Sequence, residues 1–158
     1  RAQVDETLYA TKQFDLPVLW FWPNVDAGSD GTSKGIRVFR EQERPDNLHL
    51  FRNMSPEDFL RLLVNSTAIV GNSSVAIREC SFLGVPAVNV GSRQQGRERG
   101  KNVLDVDHDR AAIVSAVREH MRRGKSPSDH PYGDGRAGVR IAKCLATSEL
   151  TIEKRLTY

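Results

Sequence analysis

No apolar run in these 158 residues is long enough to cross a bilayer, which excludes a membrane-spanning helix within them. There are only two cysteines, Cys80 and Cys144, both in segments that read as helical. They form no disulfide framework and no metal pair, and they fit small apolar side chains in a reducing, cytoplasmic compartment. The four histidines, His49, His108, His120 and His130, have no ligand spacing, so no metal or cofactor is expected. A formal charge of +3 is too mild for a nucleic-acid clamp, yet it suits a small anionic ligand. Arg1-Ala2-Gln3-Val4 is not a signal peptide and has no initiator methionine, so the expectation is a piece of a longer polypeptide. With 39% hydrophobic residues, the chain has enough apolar material for one globular core.

Short apolar runs, each bounded by turn residues, alternate with helical periodicity. The runs are Val18-Leu19-Trp20-Phe21-Trp22, Leu48-His49-Leu50-Phe51, Ala68-Ile69-Val70, Val85-Pro86-Ala87-Val88-Asn89-Val90 and Asn102-Val103-Leu104-Asp105-Val106. Helices are expected over 2–14 and 34–42, from the Ser55-Pro56-Glu57-Asp58 start through Leu63, from the turn after Val70 to Gly84, and over 109–123. A last helix carries Val139, Ile141 and Leu145. Strand alternating with helix predicts a parallel, doubly wound, Rossmann-like sheet spanning 1–147, with strand order 2-1-3-4-5. The polar tail 148–158 has little to bury by itself. In such sheets ligands sit beyond the carboxyl ends of the strands, here between the first and third. Three polar loops are expected to converge there: 23–33, the turn at 71–74, and 91–100.

The stretch Gly71-Asn72-Ser73-Ser74-Val75-Ala76-Ile77-Arg78-Glu79 stands at the centre of that arrangement. Glycine permits a sharp turn, and Ser73 or Ser74 can cap a following helix. The free amides and dipole of a helix start favour a phosphate. Glu79, one turn in, is placed to accept hydrogen bonds from a ribose diol. A capped helix start with no ligand satisfies the same residues.

Several separated motifs, in order, resemble the UDP-N-acetylglucosamine 2-epimerases. They are Pro23-Asn24-Val25-Asp26-Ala27-Gly28-Ser29, the Gly71-Asn72-Ser73-Ser74 turn with Arg78-Glu79, Gly84-Val85-Pro86-Ala87-Val88-Asn89-Val90-Gly91-Ser92-Arg93-Gln94-Gln95-Gly96-Arg97, Glu98-Arg99-Gly100-Lys101-Asn102-Val103-Leu104, and Tyr132-Gly133-Asp134-Gly135. Asn72-Ser73-Ser74 and Ser92-Arg93-Gln94-Gln95-Gly96-Arg97 stand where the non-hydrolysing branch carries other residues, so the chain resembles the hydrolysing branch of sialic acid synthesis.

The resemblance implies the C-terminal half of a two-domain, glycosyltransferase-B type fold. The tail would pack toward an N-terminal domain that holds the catalytic carboxylates, and the whole protein would be a homo-oligomer. The implied reaction eliminates UDP from UDP-N-acetylglucosamine and adds water, giving N-acetylmannosamine. Ser73, Ser74 and Asn72 are the implied diphosphate contacts and Glu79 the ribose contact. Arg93 would lie beside uracil, and Asn24, Asp26, Ser29, Gln94 and Arg97 would line the same crevice. Arg37 and Arg40, three apart on a helix, form a candidate effector site for a feedback anion; a solvated helix face explains them equally. UDP-N,N'-diacetylbacillosamine is an alternative substrate, and a non-hydrolysing epimerase, a glycosyltransferase and a nucleotide-sugar binding module are alternative functions.

Overall fold

The computed structural model describes residues 2–24 and 29–149. The elements run α1 (Ala2–Thr11), β1 (Val18–Phe21), α2 (Ser29–Glu43), β2 (Leu48–Phe51), α3 (Pro56–Asn65) and β3 (Ile69–Gly71). A 3₁₀ turn (Ser74–Ala76) and the short helix α4 (Glu79–Leu83) follow. Then come β4 (Ala87–Val90), β5 (Val103–Val106), α5 (Arg110–Arg123) and α6 (Ala137–Thr147). All strand pairs are parallel, as helical crossovers require.

The strands form two sheets, β1-β2 and β3-β4-β5, instead of the one continuous sheet expected. Each pairing follows the anticipated order, but β1 and β3 are not hydrogen-bonded neighbours. Helices and aromatic rings bridge that seam. From α1, Leu8 packs with Ile36 and Phe39 of α2 against Trp20 and Leu50, while Ala10 joins Val88 and the α5 residues Ile113 and Val117. On the other face Phe21 of β1 meets Phe59 of α3 edge-on, with ring centroids 5.3 Å apart. The core therefore runs through the seam although the hydrogen-bond ladder does not.

Local signals account for most boundaries. Ser55 caps α3, its hydroxyl accepting the Asp58 amide at 3.2 Å, and Pro56 opens the helix. Asp109 caps α5 in the same way, accepting the Ala112 amide at 2.7 Å. β4 is buried along its whole length, as a central parallel strand should be.

Two helices depart from expectation. α2 begins at Ser29, five residues ahead of Lys34, so Gly31 and Ser33 lie inside it. Their weak helix propensity is overridden by burial of Ile36 and Phe39 against Leu8 of α1. After β3 no long helix forms. The 3₁₀ turn is followed by only five residues of α-helix, which Gly84 ends in the left-handed conformation at φ 66°. A side chain there would put its Cβ 2.1 Å from Ser126 O, because the segment 126–129 runs along this helix end. That segment satisfies the last carbonyls: Ser126 N donates to Gly84 O and Asp129 N to Ser81 O, both at 2.9 Å.

Candidate functional site

Gly71, at the end of β3, has φ 149°, and the chain turns there as a glycine allows. Ser73 then accepts the Val75 amide in a long 3.4 Å bond and caps the 3₁₀ turn. Ser73 is exposed and Ser74 half-buried. Glu79 is the first residue of α4, not one turn inside a helix. A three-residue 3₁₀ turn and a five-residue helix sum few peptide dipoles, so anion binding here rests on individual amides and hydroxyls. Glu79 is half-buried, and its Oε2 is buried with no hydrogen-bond partner among the described residues.

The loop after β4 meets this turn. Gln94 is buried, and its Nε2 donates to Asn72 O at 2.7 Å. Gln94 thus ties two loops together, which was not its expected part as a ligand contact. Its Oε1 and the Oδ1 of fully buried Asn89 have no partner among the described residues. Arg93 and Arg97 are exposed on the same loop. Beneath it, Asn89 Nδ2 donates to Asp105 Oδ1 at 2.6 Å, and Arg99 Nε donates to Asp105 Oδ2 at 2.6 Å. Burial pushes the Asp105 carboxyl up, but the bonds from Arg99 and Asn89 outweigh it and leave it below the usual carboxylate range. Nothing in the sequence pattern singled out Arg99. The alignment of Gly71, Asn89 and Asp105 at facing register positions of three strands was the available signal.

Among the described residues of the first loop there is no comparable tie. Asp26 lies outside the described residues. Asn24 is exposed just past β1, Ser29 begins α2, and the described residues place no hydrogen bond between either and the 71–74 turn. Two of the three expected loops are therefore tied together.

Arg37 and Arg40 line a separate pocket of about 580 Å³ with Trp22, Pro23, Leu50 and Arg52. The Arg37 guanidinium lies 5.9 Å from the Trp22 ring centroid. Arg52 and Trp22 were missed from sequence. Both immediately follow the paired residues Phe51 and Phe21, and that register brings them side by side.

Cys80 is buried and its thiol is pushed up to about 12, first by desolvation and then by Glu79, so it is inert. Cys144 is exposed on α6, contrary to the apolar role expected. Tyr132 donates from its hydroxyl to Glu98 O at 2.9 Å. Arg122 and Arg123 pair with Glu119 on the solvated surface of α5. Among the described residues no three His, Cys, Asp or Glu side chains gather as a metal site, and no helix is long and apolar enough to cross a membrane.

Parallel strands with polar turns at their carboxyl ends define an α/β domain of the doubly wound class. The chain belongs to the UDP-N-acetylglucosamine 2-epimerase family, whose model matches residues 1–146. A UDP-N,N'-diacetylbacillosamine 2-epimerase (hydrolyzing) of Legionella pneumophila is 32% identical over 150 residues, covering 95% of this chain and 39% of that protein. The polysialic acid biosynthesis protein P7 of Escherichia coli is 33% identical over 156 residues, covering 93% and 39%. A crystal structure of the Methanocaldococcus jannaschii UDP-GlcNAc 2-epimerase in complex with UDP-GlcNAc and UDP superposes with a TM-score of 0.69 at 19% identity, over 93% of this chain and 40% of that one. The chain thus spans about 39% of the length of these two curated relatives.

Proposed function

We propose that this chain is the UDP-binding part of a hydrolysing UDP-N-acetylglucosamine 2-epimerase. The observation that carries the reading is the 2.7 Å bond from Gln94 to Asn72 O, which joins the serine turn after β3 to the arginine-bearing loop after β4. Ser73, Ser74 and the neighbouring amides would hold the diphosphate. Glu79, with one oxygen buried and unpaired among the described residues, would take the ribose hydroxyls. Arg93 would lay its planar fork on uracil. Asn24, Asp26, Ser29 and Arg97 would line the sugar side.

In the proposed reaction a base removes the proton on C2 as the C1–O bond to the diphosphate breaks, leaving a C1=C2 double bond. Water then adds across that bond. The serine turn's share is to stabilise charge developing on the departing diphosphate. The acid and base would come from the part of the relatives' length that this chain does not span. Similarity to a hydrolysing epimerase and to a polysialic acid biosynthesis protein supports the hydrolysing branch. UDP-N,N'-diacetylbacillosamine stays a second substrate reading, favoured by the Legionella relative.

Val139, Ile141 and Leu145 of α6 are 71, 58 and 59% exposed. Large apolar side chains exposed on one helix, with Ile141 and Leu145 four apart on the same face, call for cover. In this proposal the remainder of a longer, cytoplasmic and homo-oligomeric polypeptide covers it, with the tail 148–158 packing the same way; 150–158 lie outside the described residues. The pocket bearing Arg37, Arg40 and Arg52 would take an anionic effector.

The test is incubation of the full-length protein with UDP-N-acetylglucosamine, followed by NMR. Free N-acetylmannosamine and UDP are expected. UDP-N-acetylmannosamine would overturn the hydrolysing assignment, and turnover only of the diacetylbacillosamine nucleotide would transfer it to the second substrate. The 158-residue chain alone is expected to release no UDP.

A further inference from the structure

We propose that Arg99 is a positioning residue that sets nucleotide affinity without touching the nucleotide, by clasping the 91–97 loop onto the turn after β3. The inference rests on the nucleotide-site reading above. It starts from a polar row across three strands. Gly71 of β3 faces Asn89 of β4, and Asn89 faces Asp105 of β5. An asparagine in the middle of a fully buried strand is costly unless it is bonded. Asn89 meets half of that demand, its Nδ2 donating to Asp105 at 2.6 Å while its Oδ1 has no partner among the described residues.

Asp105 presents its second oxygen to Arg99 Nε, also at 2.6 Å. The rest of the Arg99 fork faces the loop: one Nη donates to Gln94 O at 2.9 Å and the other to Arg97 O. Gln94 then reaches Asn72 O. A continuous path thus leads from the sheet through Asp105 and Arg99 into the loop, and from the loop back to the turn. Gly91 N anchors the start of the loop to Val106 O at 2.8 Å, and past it the backbone of 92–97 bonds locally, Gln95 N to Ser92 O at 2.9 Å and Arg97 N to Gln94 O at 3.3 Å. The Arg99 fork and the Gln94 amide add side-chain ties that reach beyond it, to Asp105 and to Asn72 O. Arg93 and Arg97 are carried on the segment so held.

A lysine at 99 can still pair with Asp105, but one ammonium cannot also serve two carbonyls in a planar fork. Arg99→Lys therefore separates the ion pair from the clasp. The experiment is hydrogen exchange on the full-length protein, with and without UDP, for wild type, Arg99→Lys and Gln94→Leu, alongside UDP affinity and thermal midpoint. In the wild type, UDP slows exchange at 72–79 and 92–97. In Arg99→Lys the midpoint is little changed, exchange at 92–97 and across the crevice at 72–75 speeds about tenfold, and UDP affinity falls about tenfold. Gln94→Leu gives the same local pattern, and the two substitutions together lose less than the sum of each.

Lysine that restores both affinity and slow exchange overturns the proposal and leaves Arg99 a stability residue. Loosened loops with unchanged UDP affinity also overturn it, while the nucleotide-site reading stands. UDP protection confined to other segments in the wild type sinks that reading, and the role of Arg99 falls with it.

Discussion

Ser81 Oγ lies 2.9 Å from Asn102 Oδ1, with both side chains sealed in the interior. Asn102 Nδ2 donates to Val85 O at 2.8 Å and to Ala76 O at 3.3 Å, and Ser81 Oγ also lies 2.8 Å from Ile77 O. One asparagine therefore fixes the 3₁₀ turn, α4 and the entry to β4 against one another. Asn102→Ala leaves several buried groups unpaired and should cost about 3 kcal/mol or more, read as a lower urea midpoint. A loss under about 1 kcal/mol would show that water replaces these bonds.

Glu79 carries a stability cost that a bound nucleotide would offset if it occupies the proposed site. Its Oε2 is buried and unpaired among the described residues. Glu79→Ala should raise the thermal midpoint of the unliganded protein and at the same time weaken UDP binding by about 1.5–3 kcal/mol, or roughly ten- to a hundredfold. Calorimetry giving unchanged affinity removes Glu79 from the site.

His120 predicts a pH dependence of stability. Its Nε2 lies 3.0 Å from Ala87 O, so that nitrogen carries the proton and donates. Burial holds its pKa below the usual 6.5, outweighing the bond to Ala87. Unfolded protein therefore binds the extra proton more readily than folded protein. The contribution is fully present above the unfolded value and is lost as pH falls through it toward the folded one. Urea unfolding should show stability falling between about pH 7.5 and 5.5, and His120→Gln should flatten that slope. Glu119, held low first by Arg122, and Asp134, held low first by the Arg136 amide, titrate beneath this window. An unchanged slope in the variant would assign it to another group.

The strands were legible because each is a short apolar run between turn residues, and Ser55 and Pro56 announced α3 without ambiguity. The start of α2 was hidden, since Gly31 and Ser33 read as loop until Ile36 and Phe39 are seen packed on Leu8. The seam between β1 and β3 was also hidden, because no residue pattern distinguishes a paired strand edge from one bridged by side chains. At the candidate site, serine, glycine and glutamate were conspicuous from their types and spacing. Arg99 was not. Its importance arises from Asp105 and Asn89, which only the register aligns. Gln94 was noticed but given a ligand-facing part, whereas its amide is spent on Asn72.

The most direct test is a crystal structure of the full-length protein with UDP bound. The diphosphate is expected within hydrogen-bond reach of Ser73, Ser74 and their neighbouring amides, the ribose on Glu79, and the base beside Arg93. A nucleotide seated only in the pocket of Arg37, Arg40 and Arg52, or anywhere else away from the turn after β3, would contradict this placement.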